Sequence, residues 1–202
     1  MPKLSVETRA RRRQHILTCA WSCFSRNGFH ATSMDDVIAA SGMSSSAVYR
    51  YFRSKEELIE ATTDEGLAKV RQIFVDLLAH ESCPTPAQTL ALLVGELDSR
   101  VDNPEYDMSR IALQTWAEAL RDPSLHERAR SLYLEALDHI AELVGRWRDN
   151  GYVPAYSDTN AIAATLFSVM HGLIVMHHIV RGIPAEELRE GIYLLGNAVA
   201  RV

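Results

Sequence analysis

The chain has 202 residues, of which 47% are hydrophobic and 23% are charged, so it is long enough to bury a core and reads as globular rather than disordered. A net charge of -5 argues against indiscriminate binding of nucleic acid over the whole surface. The three cysteines are odd in number and no secretory signal precedes them, which predicts a reducing cytoplasmic compartment.

The charge is divided unevenly along the chain. Residues 1–60 hold nine Lys and Arg against six Asp and Glu, a balance of +3, whereas residues 61–202 hold twelve against twenty, a balance of -8. A basic amino-terminal part on an acidic remainder predicts contact with phosphate groups at one end and a different task at the other.

Helical spacing of apolar residues recurs along the chain and no segment alternates with the period of a strand, so we predict an all-α fold of about nine helices. The first carries Ile16, Trp21 and Phe24 on one face and ends near Asn27 and Gly28. The apolar run over 161–176 is shorter than the ~20 residues that span a bilayer, so we predict no membrane helix.

Residues 32–59 predict two short helices joined by a tight turn and followed by a third helix. Gly42 stands where the chain reverses, because a residue without Cβ adopts left-handed backbone angles at little cost. Beyond the turn, Val48 and Phe52 are four apart and face inward. The outward side then carries Ser45, Ser46, Tyr49 and Arg50, and the residues available to cap the helix before the turn are Thr32 or Ser33 with Asp35 or Asp36.

This segment resembles the helix-turn-helix of the TetR family of transcriptional regulators. The resemblance covers the first third of the chain and departs from the usual pattern at Ser41, where Ala is common, and at Ser46, where many members carry Gly. It implies an amino-terminal DNA-binding domain over 1–54 and a carboxyl-terminal body over 55–202 for ligand sensing and dimerisation. The matching residues are Thr32 or Ser33, Ile38, Ala39, Gly42, Ser44, Tyr49, Tyr51, Phe52, Lys55, Glu56 and Leu58.

The later helices are predicted from their starts. Ser54 and Glu57 form a capping box that opens a long fourth helix ending near His80. Proline at the first helical position marks three further starts. The predicted ranges are 86–101, 105–121 and 123–149, then a helix from 157 or 158 to about 181, and a last one from 184 to 200.

Candidate DNA contacts lie on the first helix and around the turn. Arg9, Arg11, Arg12 and Arg13 are predicted to neutralise phosphates, although a solvated basic face is the alternative. Thr32 and Ser33 would offer polar groups at a helix start or act only as caps. Ser44, Ser45, Ser46 and Arg50, with Ala47 among them, would face base edges or, for Arg50, a phosphate. The resemblance implies phosphate contacts for Tyr49, Tyr51 and Lys55, with ring packing and solvent exposure as the alternatives.

The body implied by the resemblance dimerises and encloses a small-molecule pocket. The predicted pocket residues, which could equally be core, are Phe74, Leu78, Met108, Ile111, Trp116, Tyr133, Phe167 and Met170. The predicted dimer residues, on two apolar helices that could also be buried core helices, are Leu173, Met176, His177, Val180, Ile192, Leu195 and Val199. His171, His177 and His178 lack metal-ligand spacing, so we predict no metal and no cofactor.

The sequence therefore predicts a ligand-responsive repressor that binds palindromic double-stranded DNA as a homodimer and is released by a small apolar or amphipathic effector. A helical protein-protein adaptor without DNA recognition is the alternative. An enzyme is disfavoured because the sequence shows no phosphate loop and no nucleophile motif.

Overall fold

The computed structural model describes residues 5–80, 82–101, 103–180 and 184–199, without the side chains of 97–101, 185 and 195–199. Within these ranges the chain forms nine helices and no strand, which confirms the all-α prediction. The helices are α1 Val6–Asn27, α2 Met34–Ser41, α3 Ser45–Tyr49, α4 Lys55–Ala79, α5 Pro86–Val101, α6 Met108–Ala119, α7 Pro123–Asp149, α8 Thr159–Ile179 and α9 Ala185–Val199.

The predicted starts at Pro86 and Pro123 are confirmed, but α6 begins later than the predicted residue 105. The side-chain Oδ1 of Asn103 accepts the backbone N–H groups of Glu105 and Tyr106, at 2.9 and 3.3 Å, so the residues after Pro104 form a turn. Asp107 then caps α6 by accepting from the backbone of residues 109 and 110. The pair Asn103–Pro104, a capping residue followed by a proline, therefore does not mark the start of α6.

The chain packs as two compact units. The head unit comprises Met1–Gly66 and Asn103–Leu125, and the body unit comprises Leu67–Asp102 and His126–Val202. The predicted functional boundary between residues 54 and 55 stays a prediction, because packing does not show which segment binds DNA.

The head unit has its own apolar core. Trp21 and Phe24 of α1 are buried with Phe52 and Leu58, and Ile111 of α6 joins them. Burial of such side chains is the main stabilising contribution, at roughly 1.5–3 kcal/mol each. Since α6 comes from the middle of the sequence, the head core is larger than the three amino-terminal helices alone would provide.

The body unit is built around a second core. Phe74 of α4, Ile140 and Trp147 of α7 and Phe167 of α8 are buried in it. The Trp147 indole N–H donates to the carbonyl of Pro84 at 2.7 Å, so its polar atom is satisfied inside the core. This core holds α4, α5, α7 and α8 together.

By length and composition α8 is one described helix that could cross a membrane. It exceeds the apolar run predicted from the sequence, since it extends over 21 residues from Thr159 to Ile179. One such helix is weak evidence for a membrane span.

Candidate functional site

The helix-turn-helix begins with a complete capping box on α2. The Ser33 hydroxyl accepts the backbone N–H of Asp36 at 3.2 Å, and the Asp36 carboxylate accepts the backbone N–H of Ser33 at 2.8 Å. Hydrogen bonds from the Ser33 side chain and then from its backbone lower the pKa of Asp36. Of the capping pairs left open by the sequence, Ser33 with Asp36 is the one formed.

The turn between α2 and α3 adopts the predicted left-handed conformation at Gly42, with φ 63° and ψ 13°. Ser41 contributes more than its small size suggested. Its hydroxyl donates to the carbonyl of Ile38 at 2.9 Å and accepts the backbone N–H of Met43 at 3.2 Å. A ring nitrogen of His15 lies 2.9 Å from the Ser41 carbonyl oxygen and ties α1 to the same turn. This role of Ser41 could have been inferred from the sequence, because a serine hydroxyl often forms hydrogen bonds with neighbouring backbone groups.

The helix after the turn exposes its polar side chains. Val48 and Phe52 are buried at 0% exposure in the head core. The predicted base-facing residues Ser44, Ser45, Ser46 and Arg50 are exposed, as is Tyr49, and Ala47 is half-buried. The Ser44 side chain makes no capping hydrogen bond, and its hydroxyl oxygen lies 3.3 Å from that of Ser46. This segment therefore presents short hydroxyl groups, a phenol and a guanidinium on one surface.

Thr32 differs from the other predicted DNA contacts. It is 1% exposed, its hydroxyl donates to the carbonyl of Gly28 at 2.8 Å, and its backbone N–H donates to the same oxygen at 3.2 Å. Both of its polar hydrogens are used inside the loop before α2. The structure thus gives Thr32 a role in shaping that loop, and we leave it out of the proposed DNA contacts.

The predicted arginines of α1 lie on the outside of the head unit. Arg9, Arg11 and Arg13 are exposed and Arg12 is half-buried. The Arg13 guanidinium carbon lies 5.0 Å from the centroid of the Phe52 ring, within cation-π distance. The basic surface of α1 therefore contacts the segment that follows α3, through Arg13 and Phe52.

The three residues matched to phosphate contacts by resemblance have different surroundings. Tyr49 is 44% exposed. Tyr51 is half-buried against the head core, and its hydroxyl oxygen is buried without a hydrogen-bond partner among the described residues. The Lys55 ammonium group donates to the carbonyl of His30 at 3.3 Å. Of these three residues, Tyr49 is exposed, whereas Tyr51 and Lys55 are half-buried.

A second group of head-unit residues, which sequence reasoning missed, links the loop before α2 to α6. Gln114 accepts the backbone N–H of Phe29 at 2.7 Å and donates to the carbonyl of Phe24 at 3.0 Å. A ring nitrogen of His30 lies 3.1 Å from a carboxylate oxygen of Glu118. The two sides are far apart in the sequence, so no spacing rule could have found these contacts.

The predicted pocket residues are distributed over both units. Phe74 and Phe167 belong to the body core, and Leu78, Tyr133 and Met170 are partly buried and pack against it. Ile111 is a core residue of the head unit and Met108 packs against that core, and Trp116 lies on α6 of the same unit. The predicted set is thus divided, and the proposal for an effector site below uses the body residues alone.

The body unit contains an apolar cavity and an adjoining open groove. The cavity, of about 60 Å³, lies between α4, α5 and α8. The groove, of about 380 Å³, shares Ile73 and Glu96 with it. Residues lining the cavity are Val70, Ile73, Leu93, Glu96, Met170, Leu173 and Ile174.

An aromatic group from α7 and α8 lies in the body unit. The rings of Tyr133 and Phe167 meet edge to face at 5.1 Å, and His171 lies 4.4 Å from Phe167 between ring centroids. A ring nitrogen of His171 lies 2.7 Å from the Phe167 carbonyl oxygen. Burial lowers the pKa of His171, and the contact with that carbonyl offsets part of the effect.

The predicted dimer residues lie at the carboxyl-terminal part of the body unit. Met176, His177 and Val180 are exposed, whereas Leu173 and Ile192 are half-buried. The side chains of Leu195 and Val199 lie outside the described residues. Apolar side chains that are exposed on or next to α8 and on α9 are Val169, Val175, Met176, Ile179, Val180, Tyr193 and Leu194.

Among the described side chains no three His, Cys, Asp or Glu form a group that could hold a metal ion. Burial is the largest cause that raises the pKa of Cys19 and of Cys23, so both thiols stay protonated and poorly nucleophilic near neutral pH.

Comparison with known families gives two matches along the chain. Residues 16–62 match the model described as bacterial regulatory proteins, tetR family. Residues 86–195 match the model described as BetI-type transcriptional repressor, C-terminal. The first match contains the helix-turn-helix, and the second alone covers more than half of the chain.

Named relatives are transcriptional regulators. The uncharacterised HTH-type regulator YfiR of Bacillus subtilis is 44% identical over 73 residues, which are 34% of this chain and 36% of that protein. The HTH-type regulator UidR of Escherichia coli is 23% identical over 194 residues, 91% of this chain and 88% of that protein.

Solved structures share the whole fold. GusR of Salmonella enterica superposes with a TM-score of 0.71 at 26% identity and covers 97% of this chain and 100% of its own. A protein from Saccharomonospora viridis, solved in complex with choline, superposes with a TM-score of 0.74 at 21% identity over 91% of this chain and 94% of its own. At that identity the second likeness is one of fold alone.

Proposed function

The chain belongs to the TetR family of helix-turn-helix transcriptional regulators, and we propose that it is a cytoplasmic, homodimeric repressor. In this proposal it binds a palindromic operator, and a small effector releases it from the DNA. The observation that carries the proposal is the surface formed by Ser44, Ser45, Ser46, Tyr49 and Arg50, which is exposed while Val48 and Phe52 anchor the same segment in the core.

DNA binding in this proposal divides into base contacts and phosphate contacts. Ser44, Ser45 and Ser46 meet base edges, because the amino-terminal turn of a recognition helix goes deepest into the major groove, and Arg50, at the carboxyl end of α3, reaches a base edge with its long side chain. Phosphate contacts supply affinity and register. The residues proposed for them are Arg12, Arg13, Ser33, Tyr49 and Lys55.

A homodimer is supported by the apolar side chains that α8 leaves exposed. Val169, Met176 and Ile179 are 40%, 45% and 76% exposed, and their spacing puts them on one side of the helix. An exposed apolar stripe of this kind is typical of a surface that pairs with a partner. Two copies joined here would present two heads to half-sites about 34–36 Å apart.

The effector site is proposed in the body unit, at the apolar cavity that Met170 lines. Phe74, Leu78, Tyr133 and Phe167 complete the proposed lining, and their composition favours an apolar or amphipathic molecule. A relative of the same fold holds choline, so a quaternary ammonium compound belongs in any ligand screen. The effector weakens DNA binding to the extent that it prefers the state with the lower DNA affinity.

The test begins with selection of duplexes from a randomised library by the full-length protein. We expect an enriched palindrome whose affinity falls steeply with salt, by a slope of about -0.9 on logarithmic axes for each phosphate neutralised. The proposal would be contradicted if the library yielded no enriched sequence and the affinity for DNA did not change with salt concentration. Arg50→Ala is expected to weaken the selected duplex strongly, whereas Arg148→Ala, on α7, is the matched control that leaves it unchanged.

A further inference from the structure

Two guanidinium groups lie over two consecutive aromatic rings in the head unit. The guanidinium carbon of Arg50 is 5.6 Å from the centroid of the Tyr51 ring, and that of Arg13 is 5.0 Å from the centroid of the Phe52 ring. Both distances lie within the ~6 Å over which a ring face attracts a cation. Both arginines are exposed, whereas both rings pack on the core side. Each ring is thus fixed by the core and offers a face to a cation outside.

The hydroxyl of Tyr51 is not available to a ligand where it stands. Its oxygen is buried and has no hydrogen-bond partner among the described residues. Tyr49, two residues earlier, is 44% exposed. The two tyrosines of the motif therefore differ, since the Tyr49 side chain is exposed, whereas Tyr51 has a buried hydroxyl and a ring face that lies beneath Arg50.

We infer that Tyr51 is a positioning residue for DNA binding, whose ring holds the Arg50 guanidinium in the orientation that meets the duplex and whose hydroxyl does not contact DNA. The inference rests on the proposed function, since it assigns a role within the same interface. A long arginine side chain loses rotamer freedom when it binds, and a contact that orders it beforehand removes part of that loss. An exposed cation-π contact corresponds to about a two- to fivefold change in Kd.

The first experiment compares the two tyrosines by the same change, with the duplex selected by the wild-type protein as the probe. Tyr51→Phe keeps the ring and removes the hydroxyl, so its Kd is expected to equal that of the wild type. Tyr49→Phe is the matched variant, and it is expected to bind more weakly because its hydroxyl is proposed to contact a phosphate. If Tyr51→Phe weakens binding as much as Tyr49→Phe does, the hydroxyl of Tyr51 contacts DNA and the inference is wrong.

The second experiment separates positioning from a general role in folding. Tyr51→Leu removes the ring face and is expected to weaken binding about two- to fivefold. In the Arg50→Ala background, the same change is expected to have no further effect, because the group that the ring orders is gone. Tyr51→Trp retains a ring face and is expected to bind as the wild type does, which covers the case in which the leucine variant does not fold.

The outcomes are distinguishable. A loss from Tyr51→Leu that persists unchanged in the Arg50→Ala background would show that Tyr51 only supports the fold, and a weakly binding Tyr51→Trp variant would count against positioning as well. Either result leaves the proposed function intact if the wild-type protein binds its selected duplex. If the wild-type protein selects no duplex, the proposed function fails and this inference fails with it.

Discussion

Gln114 donates a hydrogen bond from its side-chain amide to the carbonyl oxygen of Phe24 at 3.0 Å, so a residue of α6 adds a second donor to a carbonyl in the last turn of α1 that also accepts the backbone N–H of Gly28 at 2.9 Å. The same amide accepts the backbone N–H of Phe29 at 2.7 Å. One side chain therefore fixes both the end of α1 and the start of the loop that leads to the helix-turn-helix.

Replacing this side chain by an apolar one of similar size should loosen the head unit. We expect Gln114→Leu to lower the free energy of unfolding of the head unit by about 1–3 kcal/mol, because it leaves the partly buried backbone N–H of Phe29 without its partner. The direct measurement is amide hydrogen exchange at Phe29, whose protection should fall. Gln14→Leu, at an exposed position of α1, is the control and should change neither quantity. Undiminished protection at Phe29 in the Gln114 variant would contradict this prediction.

Two glycines should respond to alanine in opposite directions. Gly42 has a φ of +63° and no atom within 4 Å of an added Cβ, so the only cost of Gly42→Ala is the left-handed backbone, about 1–2 kcal/mol. Gly145 lies inside α7, also with no atom within 4 Å, and Gly145→Ala should stabilise by about 0.5–1 kcal/mol. Thermal unfolding of both variants measures the difference. A Gly42→Ala protein as stable as the wild type would show that the turn does not need its left-handed residue.

The local features of this fold were readable from the sequence because they depend on neighbours along the chain. Pro86 and Pro123 marked the first residues of α5 and α7, and Gly42 marked the turn, since each restricts or frees the backbone at its own position. The features that sequence reasoning missed depend on partners that only the fold brings near. Gln114 is one of these, and its hydrogen bonds to Phe24 and Phe29 cross between segments that the sequence separates widely.

The candidate DNA-binding surface also combines features that local spacing predicts with features that depend on tertiary packing. That Val48 and Phe52 face inward and that Arg50 faces outward followed from helical spacing. Spacing could not show that the hydroxyl of Tyr51 is buried, or that Thr32 uses its hydroxyl within the loop, because both depend on how neighbouring segments pack.

The body unit should lose stability in mild acid because of His171. Burial lowers the pKa of this histidine in the folded protein below its ordinary value of 6.5, so the unfolded chain binds a proton more readily. The contribution of the neutral His171 ring to the free energy of unfolding is therefore fully present above pH 6.5 and is lost as the pH falls through the lowered pKa of the folded state. We expect thermal unfolding to show this loss and His171→Leu to remove that part of the pH dependence. The matched variant His177→Leu, at an exposed position, should keep it. A pH profile identical in wild type and His171→Leu would mean that burial does not govern this group.

Association of two copies through α8 can be tested by placing a charge in its exposed apolar stripe. Ile179 is 76% exposed in the single chain and would be covered in the proposed dimer. Ile179→Glu should convert the dimer to a monomer, because burying a carboxylate without a partner costs far more free energy than the apolar contact of Ile179 contributes. Leu120→Glu offers a close match, since Leu120 is 84% exposed but lies at the end of α6, and it should leave the dimer intact. The mass of each variant in solution, measured by light scattering at several concentrations, decides between them. If Ile179→Glu remains a dimer, the pairing surface lies elsewhere. If it becomes a monomer, its affinity for the selected palindrome should fall towards that of a single half-site. The reason is that the two heads no longer bind as a unit.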